Sequence, residues 1–131
     1  MWTLTQTQEN QIDAFQRKMI RINVLNVKWP RKMSNENVYK LSKIKPWSYK
    51  VKKQRLNWFG HLIRLDEEVP AKKALNFATA NFKSKRGRPK EKWLTMMEKQ
   101  LKADLDLTWQ EAERIARNRN DWRNMVKQKY P

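Results

Sequence analysis

Apolar residues along the chain recur at intervals of three and four. Ile12, Phe15, Met19 and Ile22 form one such stripe, which predicts an amphipathic helix over residues 8–25. Trp29-Pro30 ends it, because the residue before a proline is pushed out of the helical region. Ser34 is placed to cap a short helix carrying Val38, Leu41 and Ile44 on one face. Pro46 suits the first turn of a third helix over residues 47–65, with Val51, Trp58, Leu62 and Leu65 on one side and Phe59 and Ile63 beside them. Val69-Pro70 breaks the chain, and residues 71–77 predict one or two helical turns holding Ala74 and Leu75. Pro89 fits another helix start, followed by the stripe Trp93, Met97, Leu101 and Leu105. Thr108-Trp-Gln-Glu111 is a capping box opening a helix with Ala112, Ile115 and Ala116 inward. Asp121 is the expected cap of a last helix bearing Trp122, Met125 and Val126. Two-residue alternation is absent. The pattern predicts an all-α chain, a small bundle of four to six short helices with a basic loop. It divides into an N-terminal helical segment (1–45), a basic helix and its extension (46–82), the loop (83–92) and C-terminal helices (93–131).

Composition changes this picture in two ways. Hydrophobic residues are only 39% of the 131 and mean hydropathy is −1.02, so the core is lean and ordering is expected to be completed on a partner or parent protein. Seven Trp argue against a disordered chain, since such chains are poor in large aromatics. Thirty Lys and Arg against 13 Asp and Glu give a net charge of +17. That excess points to an anionic partner, nucleic acid first.

Whole classes drop out. The chain has no Cys and one His, so thiolate chemistry, disulfides and His-based metal clusters are excluded. Two Gly, Gly60 and Gly87, are too few for phosphate-cradling glycine loops. There is no apolar run long enough to cross a membrane, and the polar start is not a signal peptide. The expectation is a nuclear or cytoplasmic protein, not secreted, without cofactor or metal. Asp104 with Asp106, and Glu67 with Glu68, read as solvated carboxylates rather than metal pairs.

The densest charge lies at residues 83–92, six positive residues against one negative. Lys83, Lys85, Arg86, Arg88, Lys90 and Lys92 are expected to meet phosphate. An extended Arg86-Gly87-Arg88 suits a narrow minor groove, where potential is enhanced and glycine permits close approach. A solvated basic loop is the bland alternative. Lys50, Lys52, Lys53 and Arg55 form a second basic group in the first half of the third helix. Gly60 within a helix costs about 1 kcal/mol relative to Ala, a cost that marks close packing against another element. His61 beside it reads as a packed, hydrogen-bonded histidine. Trp58 and Trp93 fall in apolar stripes and read as core; Trp29 and Trp47 are the better candidates for base stacking.

Taken in order, several strings form a recognisable series: Trp-x-Leu-Thr near the start, Lys28-Trp-Pro-x-x-Met-Ser-Asn-Glu36, Arg55-Leu-x-Trp-x-Gly-His-x-x-Arg64, Arg86-Gly-Arg-Pro-x-x-x-Trp93 and Glu113-Arg-Ile-Ala-x-x-Arg-x-x-Trp-Arg123. The series resembles the C-terminal tail of reverse transcriptases from non-LTR (LINE-like) retrotransposons and spans about residues 2–126. The resemblance implies a nucleic-acid-binding tail whose other partner is the rest of the reverse transcriptase, with Trp58, Gly60, His61, Trp93 and Trp122 as structural positions. The family's polymerase site needs an Asp-Asp pair, which this chain lacks, so no catalysis is expected. Asn118 stands where the family usually carries Asp. A truncated element copy, a gene fragment and an adopted host gene all fit the series. Two other functions stay open beside the tail: an independent AT-hook-like DNA-binding protein, and a protein-interaction or structural module of the parent polymerase.

Overall fold

The computed structural model describes residues 4–28, 30–80 and 93–131. Every element among them is helical: α1 (Gln6–Met19), which runs on into a π-helical turn (Ile20–Val24), α2 (Asn35–Ser42), α3 (Trp47–Ile63), α4 (Pro70–Thr79), α5 (Trp93–Leu105), α6 (Trp109–Arg117) and α7 (Arg119–Lys129). The all-α expectation holds. The described residues contain seven α-helices rather than four to six: residues 70–79, expected as one or two turns, form a full helix.

Two compact units divide the chain, residues 4–52 and residues 53–131. The division falls inside α3, not at Pro46. The first turn of α3 is tied to α1 by two polar side chains. Asp13 accepts from the Ser48 backbone N–H at 2.9 Å and from its hydroxyl at 2.5 Å. Gln16 accepts from the Trp47 N–H at 2.8 Å and donates to the Lys45 carbonyl at 3.0 Å. The first N–H groups of a helix have no intrahelical acceptor, and here α1 supplies one. A carboxylate at that end is also favoured by the helix dipole.

This tie decides which face of α1 turns inward. Glu9, Gln16 and Ile20 are buried, whereas Phe15, Met19 and Ile22 are 56%, 40% and 54% exposed. The predicted apolar stripe is therefore largely outside. In α2, Ser34 caps Asn37 as predicted and Val38 is fully buried. Leu41 is exposed, and Ile44 lies beyond the helix, which stops where Lys43 takes a left-handed conformation at φ 57°.

Residues 53–131 have their own core. Its buried residues are Leu56, Phe59, Leu62 and Ile63 of α3, Leu75 of α4, Met96, Met97 and Leu101 of α5, Ala112 and Ala116 of α6, and Trp122 and Val126 of α7. Gly60 is what allows α7 to come this close. The Trp122 indole lies against it, donating from Nε1 to the Leu56 carbonyl at 2.9 Å, and a Cβ at position 60 would collide with the ring. Phe59 packs edge-on to Trp109, with centroids 5.1 Å apart, and lies 5.2 Å from Trp122. Docking on Gly60 turns residues 56, 59, 60 and 63 inward, about a third of a turn from the predicted face. Trp58, expected in the core, is consequently 38% exposed. Buried Lys72 donates to the Ile63 carbonyl at 2.9 Å, a cation at the electronegative end of α3.

The cap of α7 is Asn118, whose side chain accepts from Asn120 and Asp121; Asp121 was the expected cap and lies inside the helix instead. The capping box of α6 is formed as predicted. Thr108 accepts from the Glu111 N–H, and Glu111 accepts from the Thr108 N–H at 2.9 Å. That backbone hydrogen bond, with a second from the Thr108 hydroxyl, holds the Glu111 carboxyl below its ordinary range. A depressed folded value stabilises above the unfolded glutamate pKa, and the benefit is lost as pH falls through the folded value. Glu111→Gln is therefore expected to melt below the parent at neutral pH, with the gap closing as pH falls through and below the ordinary glutamate range. Melting curves followed by circular dichroism check this.

Candidate nucleic-acid interface

The sequence-predicted basic residues separate once folded. Lys50 is exposed. Lys52 is 3.5 Å from Glu9 and partly covered; Lys53 is half-buried. Arg55 is only 2% exposed and cannot reach a phosphate. It lies next to Leu56 on the face that Trp122 pulls inward, so its place among the contact residues is corrected. The block from Lys83 to Lys92, with Lys83, Lys85, Arg86, Gly87, Arg88, Lys90 and Lys92, lies outside the described residues, as does Trp29. Trp47 is partly exposed, its ring 6.3 Å from that of Phe15.

A different basic site is built within residues 53–131. Asn57 and His61 of α3, Arg64 in the turn that follows it, and Arg119, Trp122 and Arg123 of α7 line a cleft of about 560 Å³. Asn57 and His61 are one turn apart on α3, Arg64 follows its last residue, and Arg119 and Arg123 are one turn apart on α7. Trp122 on Gly60 brings these two faces together. Arg64 is anchored by donating Nη1 to the Ala116 carbonyl at 2.7 Å. Its pKa is lowered, first by loss of solvent and then by the charge of Arg119. Among the described residues no carboxylate forms an ion pair with Arg64, Arg119 or Arg123.

Three guanidinium groups thus converge with no neutralising partner among the described residues. Like charges held together raise the energy of the empty cleft, and an anion lowers it. The planar fork of arginine matches phosphate oxygens in pairs, which a lysine ammonium does not. His61 is exposed at this cleft, its ring 5.2 Å from that of Trp58, so it is not the enclosed histidine that the sequence pattern suggested. Trp93 is half-buried.

Arg119, Arg123, Arg64 and Asn57 were not among the sequence-predicted contacts. The signal available was the i, i+4 pair of arginines around Trp122, but nothing local ties that pair to position 64.

The four carboxylates paired in the sequence reading are engaged elsewhere. Asp104 accepts from the Tyr130 hydroxyl. Asp106 pairs with Lys102 at 2.6 Å, Glu68 with Lys73 at 2.7 Å, and Glu67 accepts from Asn76. Among the described residues no group of three His, Asp or Glu is arranged to hold a metal ion, and no helix is long and apolar enough to cross a membrane.

No protein-family model, curated protein or solved structure matches the chain.

Proposed function

We propose that this chain is a non-catalytic nucleic-acid-binding module, the C-terminal tail of a LINE-like reverse transcriptase that its motif series resembles. The observation that carries the binding role is the cluster Arg64, Arg119 and Arg123 in one cleft, which no carboxylate among the described residues neutralises, in a chain of net charge +17. The residues at 83–92 add a second phosphate-contacting segment by their charge density.

Each neutralised phosphate releases counterion, so affinity falls as salt rises. On duplex DNA, contact through the three cleft arginines alone gives a slope of log K on log salt of roughly −2.7, and four further contacts from residues 83–92 bring it to roughly −6.3. Titrating labelled RNA and DNA at several salt concentrations measures this. Arg86→Ala with Arg88→Ala is expected to flatten the slope by about 2. A loss confined to A·T-rich duplex would favour the AT-hook-like reading instead. A flat salt response on every nucleic acid would overturn the binding role.

A second reading rests on one observation in residues 4–52. Phe15, Met19 and Ile22 form an exposed apolar face on α1 and its π-helical turn, which favours docking on a parent polymerase.

A further inference from the structure

A second hollow lies beside the arginine cleft, on the next face of α3. It measures about 470 Å³ and is bordered by Trp58, Leu62, Leu75, Ala78, Trp93 and Leu94, among others. Successive residues of one helix serve the two depressions: Asn57 and His61 the basic one, Trp58 and Leu62 the apolar one. The ridge between them is the Trp58–His61 ring pair. Positions 57–61 and 58–62 differ by about 100° around the helix axis, so the depressions are neighbours separated by the width of two rings.

Two details say what fits the apolar hollow. Trp58, 38% exposed on its rim, offers a large ring face to a ligand. The Trp93 indole N–H is buried without an acceptor among the described residues. A buried donor without a partner carries a desolvation cost, and a ligand bearing a carbonyl or ring nitrogen removes it. A flat, apolar ligand with such acceptors, tethered to an anion one cleft away, is an unpaired nucleotide.

We infer that residues 53–131 bind a single strand by one splayed nucleotide, its phosphate against Arg64, Arg119 and Arg123 and its base in the hollow bordered by Trp58 and Trp93. This rests on the nucleic-acid reading above. A duplex holds its bases stacked and paired, so it engages the arginines but not the hollow.

An abasic oligonucleotide separates the two contributions, because it keeps the phosphates and lacks the bases. The full chain is titrated by fluorescence anisotropy with three labelled probes: an eight-nucleotide single strand, its abasic counterpart and its duplex. The intact strand is expected to bind about tenfold tighter than the abasic strand. Trp58→Ala is expected to erase that advantage while leaving affinity for the abasic strand and the salt slope unchanged. Trp93→Phe keeps a ring in place and removes the donor, and is expected to reduce the advantage without lowering the melting temperature. Repeating the series with RNA of the same sequence shows which sugar is preferred.

Equal affinity for intact and abasic strands, with the salt slope retained, overturns the base site and leaves the phosphate reading standing. An advantage that survives both Trp variants overturns it as well. Absence of salt-dependent binding to all three probes overturns both.

Discussion

Trp122→Ala is expected to destabilise residues 53–131 by about 3–5 kcal/mol, the usual cost of truncating a buried aromatic. The indole is 2% exposed, fills the space over Gly60 and packs on Phe59. Its N–H also satisfies the Leu56 carbonyl. Gly60→Ala tests the same contact from the other side. In the parent chain the new Cβ meets the ring and the substitution destabilises. In the Trp122→Ala background the ring is gone, and alanine should then stabilise by up to about 1 kcal/mol through its better helix propensity. Thermal or urea melts of the four chains give the sign in each background. An identical effect of Gly60→Ala in both would mean that Trp122 is not what the glycine accommodates. Gly60→Leu, larger still, is expected to cost about 1–3 kcal/mol by overpacking.

The second large effect is on binding. Replacing Arg119 and Arg123 together by alanine removes two phosphate contacts. On duplex DNA each contact contributes about 0.9 decade of affinity for each tenfold drop in salt. Relative to 1 M salt, the pair is therefore worth roughly 60-fold at 0.1 M, and the slope should flatten by about 2. The same substitutions should not lower the melting temperature. Arg119 acts on Arg64 as a like charge, and neither Arg119 nor Arg123 is buried, so removing them relieves repulsion at no cost in packing. Binding lost while stability is kept or improved is the signature of residues held for a ligand. A fall in stability with unchanged affinity would make them structural.

What could be read from the sequence was local. Thr108 with Glu111 and Ser34 act within three residues of their partners, and proline has no N–H to leave unpaired, so these helix starts were legible. Gly60 was legible as an exception, since glycine inside a helix needs a reason. The faces of the helices were not. Asp13 and Gln16 turn inward because they serve the start of α3, about thirty residues away, and no spacing within α1 announces that. Trp58 outranks Phe59 in size, yet Phe59 is buried because Trp122 fixes the rotation of α3. Arg55 reads as one more cation of a basic helix until that same rotation covers it. The cleft needed both facts at once, because Arg64 and Arg119 are far apart in the chain and meet only where α7 docks on α3.

Asn118 caps α7 immediately before Arg119. Aspartate at this position would cap the helix about as well. It would also place a full negative charge one residue from the basic cleft, an internal counter-ion competing with any phosphate. The amide does the structural task without that competition. Asn118→Asp is thus expected to leave the melting temperature nearly unchanged and to weaken binding of both intact and abasic strands, most at low salt, where a permanent local anion is least screened.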